Sequence, residues 1–444
     1  MPNTLIDNLR KCKKKFIKIC NTLKTSDKEN LPDALSKAFR KLSKRKIGIK
    51  GKRFLDLLEQ IIFPNFWLKL GKNAFYKLKD YFYFVIFLSS LQLNPEEGSQ
   101  MLKTVSISCP DADTLFYHLY KFSPEEIREI TERINSIIFK HARRYLQHGF
   151  LKKSLPVAID FTGQPFYGDE STEGVKGGKK KAGTTWFYQF ASIIIIKENF
   201  RFTLAVRPVL PFNEAVDIVK WLINKAKEVI KIDYMEMDRG FFNKKVINYL
   251  IQQKYKFLMP GVKNNRIKEA ILQFHEGQGE QCFKYKFKNS KSSEINEEFN
   301  IFMIKNDNKE SKKQKKSRNT QNSLNLYHVF ATNTLIRSPS NEKLKKIAEG
   351  YRKRWGIETG FRMAKRFQIK TSSVIFVARM FFYIFSVIFY NLWILFNLIY
   401  KNDDNNRYLL SSSQVKMLLL TKSLQFLILF IGEKGLKMSG GEYL

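Results

Sequence analysis

From residue 151 to 260 the spacing of apolar side chains switches between a period of two and a period near 3.6. The order of those switches restricts the fold more than any other feature of the chain. Leu155–Thr162 is a short apolar run carrying Val157 and Ile159, and Trp186–Lys197 and Phe200–Leu210 are β-rich runs separated by Glu198-Asn199. Side chains alternate across a strand, so these runs read as strands, the latter two forming a hairpin. Asn213–Ile230 then places its apolar residues at helical spacing, Tyr234–Asp238 alternates, Phe242–Ile251 is helical again, and Tyr255–Met259 is apolar up to Pro260-Gly261. Three antiparallel strands followed by helix, strand, helix, strand predict a mixed sheet flanked by helices.

That order is the order of an RNase H-like core, so the fold class expected is α/β. The neighbouring segments differ in character. Residues 1–150 read as all-helical and basic, with a lysine-rich first ~50 residues. Asn94–Thr104 and Asp111–Tyr120 are short helix patterns joined by a turn at Ser106–Pro110. Pro95 suits a first helical position, and the pair has the outline of a helix-turn-helix presenting Thr114, Tyr117 and His118. Residues 261–337 read as a β-rich insertion, with strands at Cys282–Lys288, Glu298–Ile304 and Asn325–Thr332 around a solvated basic loop near 305–323. Residues 338–400 are expected to complete the core, first with a charged helix over Ser340–Phe367 and then with an apolar one. Residues 401–444 read as a helical tail.

The chain carries 78 Lys plus Arg against 41 Asp plus Glu, a net charge of +37 over 444 residues. So one-sided an excess points to a polyanionic partner, with nucleic acid foremost. Cys12, Cys20, Cys109 and Cys282 are scattered with no C-x-x-C pair, and the five histidines show no H-E-x-x-H spacing. Neither a zinc site, a zinc hydrolase nor a disulfide framework is expected, and the thiols suit a reducing cytoplasm. The basic N-terminus lacks the apolar run of a signal peptide. Phe381–Tyr400 is uncharged and long enough to span a bilayer, but it contains Asn391 and Asn397 and is read as a buried core helix. No membrane partner is expected. Gly174–Thr185 invites a phosphate-loop reading, yet Thr184 stands where lysine is required and a strand follows, which excludes nucleotide binding and leaves either a flexible basic loop touching DNA or an ordinary mobile hairpin connection.

Two aspartates stand at the ends of predicted strands: Asp160 in V-A-I-D-F-T, and Asp238 in Y-M-E-M-D, which begins D-R-G-F-F. Carboxylates on neighbouring strands repel unless a divalent cation neutralises them. With Glu358 presented from a helix packed on the sheet, the three suit a pair of Mg2+ ions, with Mn2+ as a substitute. Asp233 and Glu236 lie nearby, and Glu236 shares a strand face with Asp238. On the later helix, Tyr351, Arg354, Glu358 and Lys365 stand at offsets of 0, 3, 7 and 14, which group them on one face of an α-helix.

The run Tyr351–Lys365, Y-R-K-R-W-G-I-E-T-G-F-R-M-A-K, matches without a gap the Y-(2)-R-(3)-E-(6)-K signature of the IS-four-like insertion-sequence transposases. D-R-G-F-F resembles that family's second-aspartate motif, and the β-rich insertion before the glutamate resembles its arrangement. The resemblance covers about residues 155–400. It implies a DDE transposase that cuts at transposon ends and joins the freed 3′-hydroxyl to target DNA. Asp160, Asp238 and Glu358 would be the metal ligands, and Tyr351, Arg354 and Lys365 would contact phosphates. Arg239 and Arg362 would add phosphate contacts, and Trp355 would stack on a displaced base. The implied partners are double-stranded DNA, as terminal inverted repeats and target, and a second copy in a synaptic dimer. The implied setting is a prokaryotic cytoplasm, at the nucleoid, and residues 1–150 become the expected DNA-end-binding region by position. A metal-dependent nuclease of the same fold that does not join ends, and an inactive DNA-binding descendant, remain alternatives.

Overall fold

The computed structural model describes residues 48–105, 107–145, 154–197, 200–288, 296–306, 320–351, 355–400 and 410–428. Among the described residues the α-helices before the sheet are α1 (Ile49–Leu57), α2 (Leu78–Leu91), α3 (Pro95–Thr104), α4 (Ala112–Tyr120) and α5 (Pro124–Tyr145). Strands β1 (Leu155–Phe166), β2 (Val175–Lys181), β3 (Thr184–Lys197) and β4 (Phe200–Pro208) follow, then α6 (Ala215–Lys227), β5 (Ile232–Met237), α7 (Lys244–Gln252) and β6 (Lys256–Pro260). After these come α8 (Asn265–His275), β7 (Cys282–Tyr285), β8 (Phe299–Lys305), α9 (Thr320–Asn325) and β9 (Tyr327–Thr332). The chain closes with α10 (Asn341–Tyr351), α11 (Trp355–Ala364), α12 (Phe376–Ile399) and α13 (Ser412–Phe426).

The chain packs as two compact units. One comprises Gly149–Pro165 and Lys176–Gly360, the other Met1–His148, Phe166–Val175 and Phe361–Leu444. The segment expected to complete the core, 338–400, is shared between them.

The first unit is built on a mixed sheet in the order β2-β3-β1-β5-β6-β9-β8-β7, with β4 also paired to β3. β3 and β4 form the expected hairpin, Lys197 opposite Phe200. The parallel pairs β1–β5 and β5–β6 need crossovers, which α6 and α7 supply. This is the mixed sheet flanked by helices expected of an RNase H-like core. Local signals explain the helix starts: Asn243 accepts a bond at 3.0 Å from the Val246 amide ahead of α7, and Asn264 does the same for Ile267 ahead of α8. The strands read as an insertion do not stand apart. β9 pairs antiparallel with β6, β8 with β9 and β7 with β8, so they extend the core sheet. Most of the polar loop expected near 305–323 lies outside the described residues.

Helix α10 covers this extension. Leu344, Ile347, Ala348 and Tyr351, spaced three and four apart, pack on Leu258, Phe302, Ile304 and Phe330. The charged helix expected over Ser340–Phe367 is seen as α10, then α11, then a closing 3-10 turn at Lys365–Phe367.

The second unit is helical. α12 is the one helix among the described residues long and apolar enough to cross a membrane, and 89% of its most apolar window is buried within the protein. Its two asparagines and its tryptophan are hydrogen-bonded inside the unit. The Asn391 amide donates to Asn135 Oδ1 at 2.8 Å, and Asn397 Nδ2 donates to the Trp393 carbonyl at 2.8 Å. The Trp393 indole donates to the Leu410 carbonyl at 2.7 Å, and the Leu410 amide returns a bond to Asn397 Oδ1 at 3.0 Å. These pairings explain how two asparagines sit in a buried helix without the cost of unmet hydrogen bonds.

The helical pair α3 and α4 exists as expected, with Pro95 at the start of α3 and Asn94 capping it through Glu97. The presentation of its second helix differs. Tyr117 is exposed, with the Lys121 ammonium 3.9 Å from its ring centroid. His118, expected on the presented face, is buried. It bonds the Lys69 carbonyl through Nδ1 at 3.0 Å, sits edge-on to Tyr81, and is held below the usual histidine range by burial. Period alone does not separate the inner from the outer face on so short a helix.

Candidate active site

The sheet pairs β1, which carries Asp160, with β5, which leads into Asp238. β1 and β5 run parallel with Ala158 opposite Glu236 and Ile159 opposite Met237. Adjacent strands lie about 4.8 Å apart, and residues in register point to the same face. Asp160, two residues on from Ala158, therefore shares the face of Glu236, and Asp238 follows directly on the last paired residue of β5.

Asp160 does not end its strand as expected. β1 continues to Phe166 and the burial alternates from Asp160 onward, with Asp160, Thr162 and Gln164 inside and Phe161, Gly163 and Pro165 further out. Inward-facing residues there are polar, so the apolar signal fades while the strand goes on. The Asp160 carboxylate accepts from the Phe161 amide at 2.8 Å. Thr162 and Gln164 were not found by sequence reasoning. Their only signal is the step of two from Asp160, and Gln164 Nε2 is buried with no hydrogen-bond partner among the described residues.

Asp238 stands just past the end of its strand, β5. Its backbone carbonyl accepts the Phe241 amide at 3.0 Å and opens the 3-10 turn Arg239–Phe241, while its carboxylate makes no capping bond to that turn. The local backbone is thus satisfied without the side chain. Phe241 is fully buried and stacks on Phe161, ring centroids 4.5 Å apart and planes 17° from parallel. The residue after Asp160 and the D-R-G-F motif are thereby locked together, which sets the relation of the two aspartates. Arg239 and Gly240 are exposed.

Glu236 is fully buried. Burial first, and then the Glu236 charge and hydrogen bond, push the Tyr234 phenol well above its usual range.

Tyr351 connects the later helix to this strand end. Its hydroxyl donates to the Met237 carbonyl at 3.1 Å, immediately before Asp238, and its ring lies edge-on to Phe330 at 5.5 Å. Glu358 lies exposed in the first turn of α11, and Arg362, four residues on, is exposed on the same helix. Lys365 is exposed and falls in the 3-10 turn that closes α11. Arg354 lies outside the described residues, as does the side chain of Trp355.

The donor set consists of carboxylates, which suits a hard divalent cation. Two of them directly follow a matched pair on neighbouring strands, and carboxylates that approach one another repel unless a cation neutralises them. Among the described residues, no group of three His, Cys, Asp or Glu side chains is gathered closely enough to hold a metal. Glu358 is carried in the same unit as the two aspartates, on a separate helix.

A comparison with the curated proteins gives no match. The family model described as the Transposase DDE domain matches residues 152–392, more than half of the chain, a span that includes both strand aspartates and the helix of Glu358. The chain belongs to the transposase DDE domain family.

Proposed function

We propose that the protein cuts DNA at insertion-sequence ends and transfers the freed 3′-hydroxyl to target DNA, in the manner of the IS-four-like transposases with their Y-R-E-K signature. The observation that supports this reading is the parallel pairing of β1 with β5 up to Ile159 and Met237, the residues before Asp160 and Asp238, with Tyr351 of the signature bonded to Met237. Asp160, Asp238 and Glu358 are the residues that would hold Mg2+. When bound, the ions supply activation of the attacking oxygen and stabilisation of the leaving one. Arg239, beside Asp238, and Arg362 and Lys365, after Glu358, supply cationic contacts to the phosphates on either side of the cut. Arg354 and Trp355 have the same assignment by the signature. Tyr351 positions the end of β5 through its bond to Met237. The partners are terminal inverted repeats, target DNA and a second copy in the synapse.

The test is nicking of an end-labelled duplex carrying the element's own flanking repeat, with Mg2+, wild type beside Glu358→Gln. A 3′-hydroxyl exposed at the repeat end by wild type, and reduced by on the order of a hundredfold or more in the variant, is expected. Equal cleavage by both would remove Glu358 from the site. Binding of the repeat without cleavage by wild type would make the protein a DNA-binding descendant.

A further inference from the structure

The basic segment Gly174–Thr185 is a hairpin and not a flexible loop. Val175–Lys181 runs as strand β2 and returns through Ala182-Gly183 into β3. Ala182 has φ 53° and Gly183 φ 84°. Positive φ at both central residues is the type I′ pattern that matches strand twist, so the hairpin is tightly closed. Gly177 and Gly178 are exposed, and each lies beside an aromatic ring: a Cβ on Gly177 would meet the Trp186 ring at 3.1 Å and one on Gly178 would meet Phe187 at 3.2 Å. The aromatic rings fill the faces the glycines leave bare, which stiffens the ribbon. β2 is the edge strand of the sheet, and Lys179, Lys180 and Lys181 are exposed along it and around the turn.

The register places these lysines relative to Asp160. Gly163 of β1 and Gly178 of β2 both face Phe187 of β3. Lys179–Lys181 lie one to three residues beyond that level, and Asp160 lies three residues on its other side. At about 3.3 Å per residue, the ammonium groups begin roughly 15–20 Å along the strand direction from Asp160. That is the span of about five base pairs.

We infer that the β2 edge is a sequence-independent rail for the DNA backbone flanking the cut, with Lys179, Lys180 and Lys181 each neutralising a phosphate. Lysine ammoniums are point charges without a planar fork, which suits phosphate contact and not base reading. Three successive lysines project from both faces of the edge strand, whereas protection against edge-to-edge pairing needs only an isolated charge. The inference rests on the DNA-cutting function proposed above.

The experiment measures the salt dependence of duplex binding by the full-length chain, for wild type, K179A/K180A/K181A and K179R/K180R/K181R, on repeat-bearing and random duplexes. The alanine variant is expected to lose about 2–3 from the log–log salt slope, equally on both duplexes, with the arginine variant keeping the wild-type slope. Its hydroxyl-radical footprint is expected to shrink about five base pairs from the cut. An unchanged slope with self-association of the alanine variant would overturn the inference and leave the lysines as edge protection. An unchanged slope without association would overturn it too. Failure of wild type to bind any duplex would instead overturn the DNA-cutting function itself.

Discussion

The two units bury polar side chains in opposite ways. In the helical unit each buried amide of α12 is met by another group of that unit: Asn391 by Asn135, Asn397 by Trp393 and Leu410. In the sheet unit, carboxylates of like charge are carried on two neighbouring strands and their ends, Asp160 on β1, Glu236 on β5 and Asp238 just after it. Paired amides specify how helices pack and cost little once bonded. Carboxylates brought close together repel unless a cation neutralises them. One unit uses burial to fix structure, and the other gathers the like charge that the proposed function would use.

Replacing one member on each side of this contrast should separate the two uses. Asp160→Asn is expected to lower cleavage by on the order of a hundredfold or more, with an unfolding midpoint in urea that is unchanged or raised, because one of two like charges is gone. A large loss of stability would instead place Asp160 among the structural residues. Asn391→Leu is expected to do the reverse. It strands Asn135 and should cost about 1–3 kcal/mol of unfolding free energy, with cleavage by the folded protein unaltered. The double variant Asn135→Leu/Asn391→Leu should recover most of that loss, since Asn135 Nδ2 already has no partner among the described residues.

Tyr351 lies between the two categories. It packs with the α10 core and bonds the carbonyl next to Asp238. Tyr351→Phe is expected to cost about 1 kcal/mol of stability and to slow cleavage several-fold while leaving DNA affinity within about twofold. A fall in affinity without a fall in stability would make the hydroxyl a DNA contact, as the family signature implies.

Much of the sheet was legible because its strands and helices carry opposite apolar periods. The β3–β4 hairpin, α6, β5, α7 and β6 all fall within a few residues of their sequence limits. The end of β1 was not legible, because Asp160, Thr162 and Gln164 face inward on that strand and mimic a strand end. The basic segment before β3 read as either a flexible loop or a hairpin connection because glycine and lysine are poor strand formers. It forms a strand because β3 offers its edge and Trp186 and Phe187 lie beside the glycines. His118 was placed outward because a nine-residue helix shows its inner face only once its neighbours are known.

By itself, the sequence determined the alternation of strands and helices, the strongly basic character of the chain, and the residue types and spacing of the two aspartates and the Y-R-E-K run. These are local properties, written in side-chain period and composition. The tertiary structure alone decided that β1 and β5 pair in parallel just before Asp160 and Asp238, that Tyr351 touches the strand end beside Asp238, and that β7, β8 and β9 extend the sheet. It also decided that α12 packs with the N-terminal helices. Those are pairings between residues far apart in the chain. Strand register and helix docking are set by which partner buries the most apolar surface, a choice the whole fold makes together.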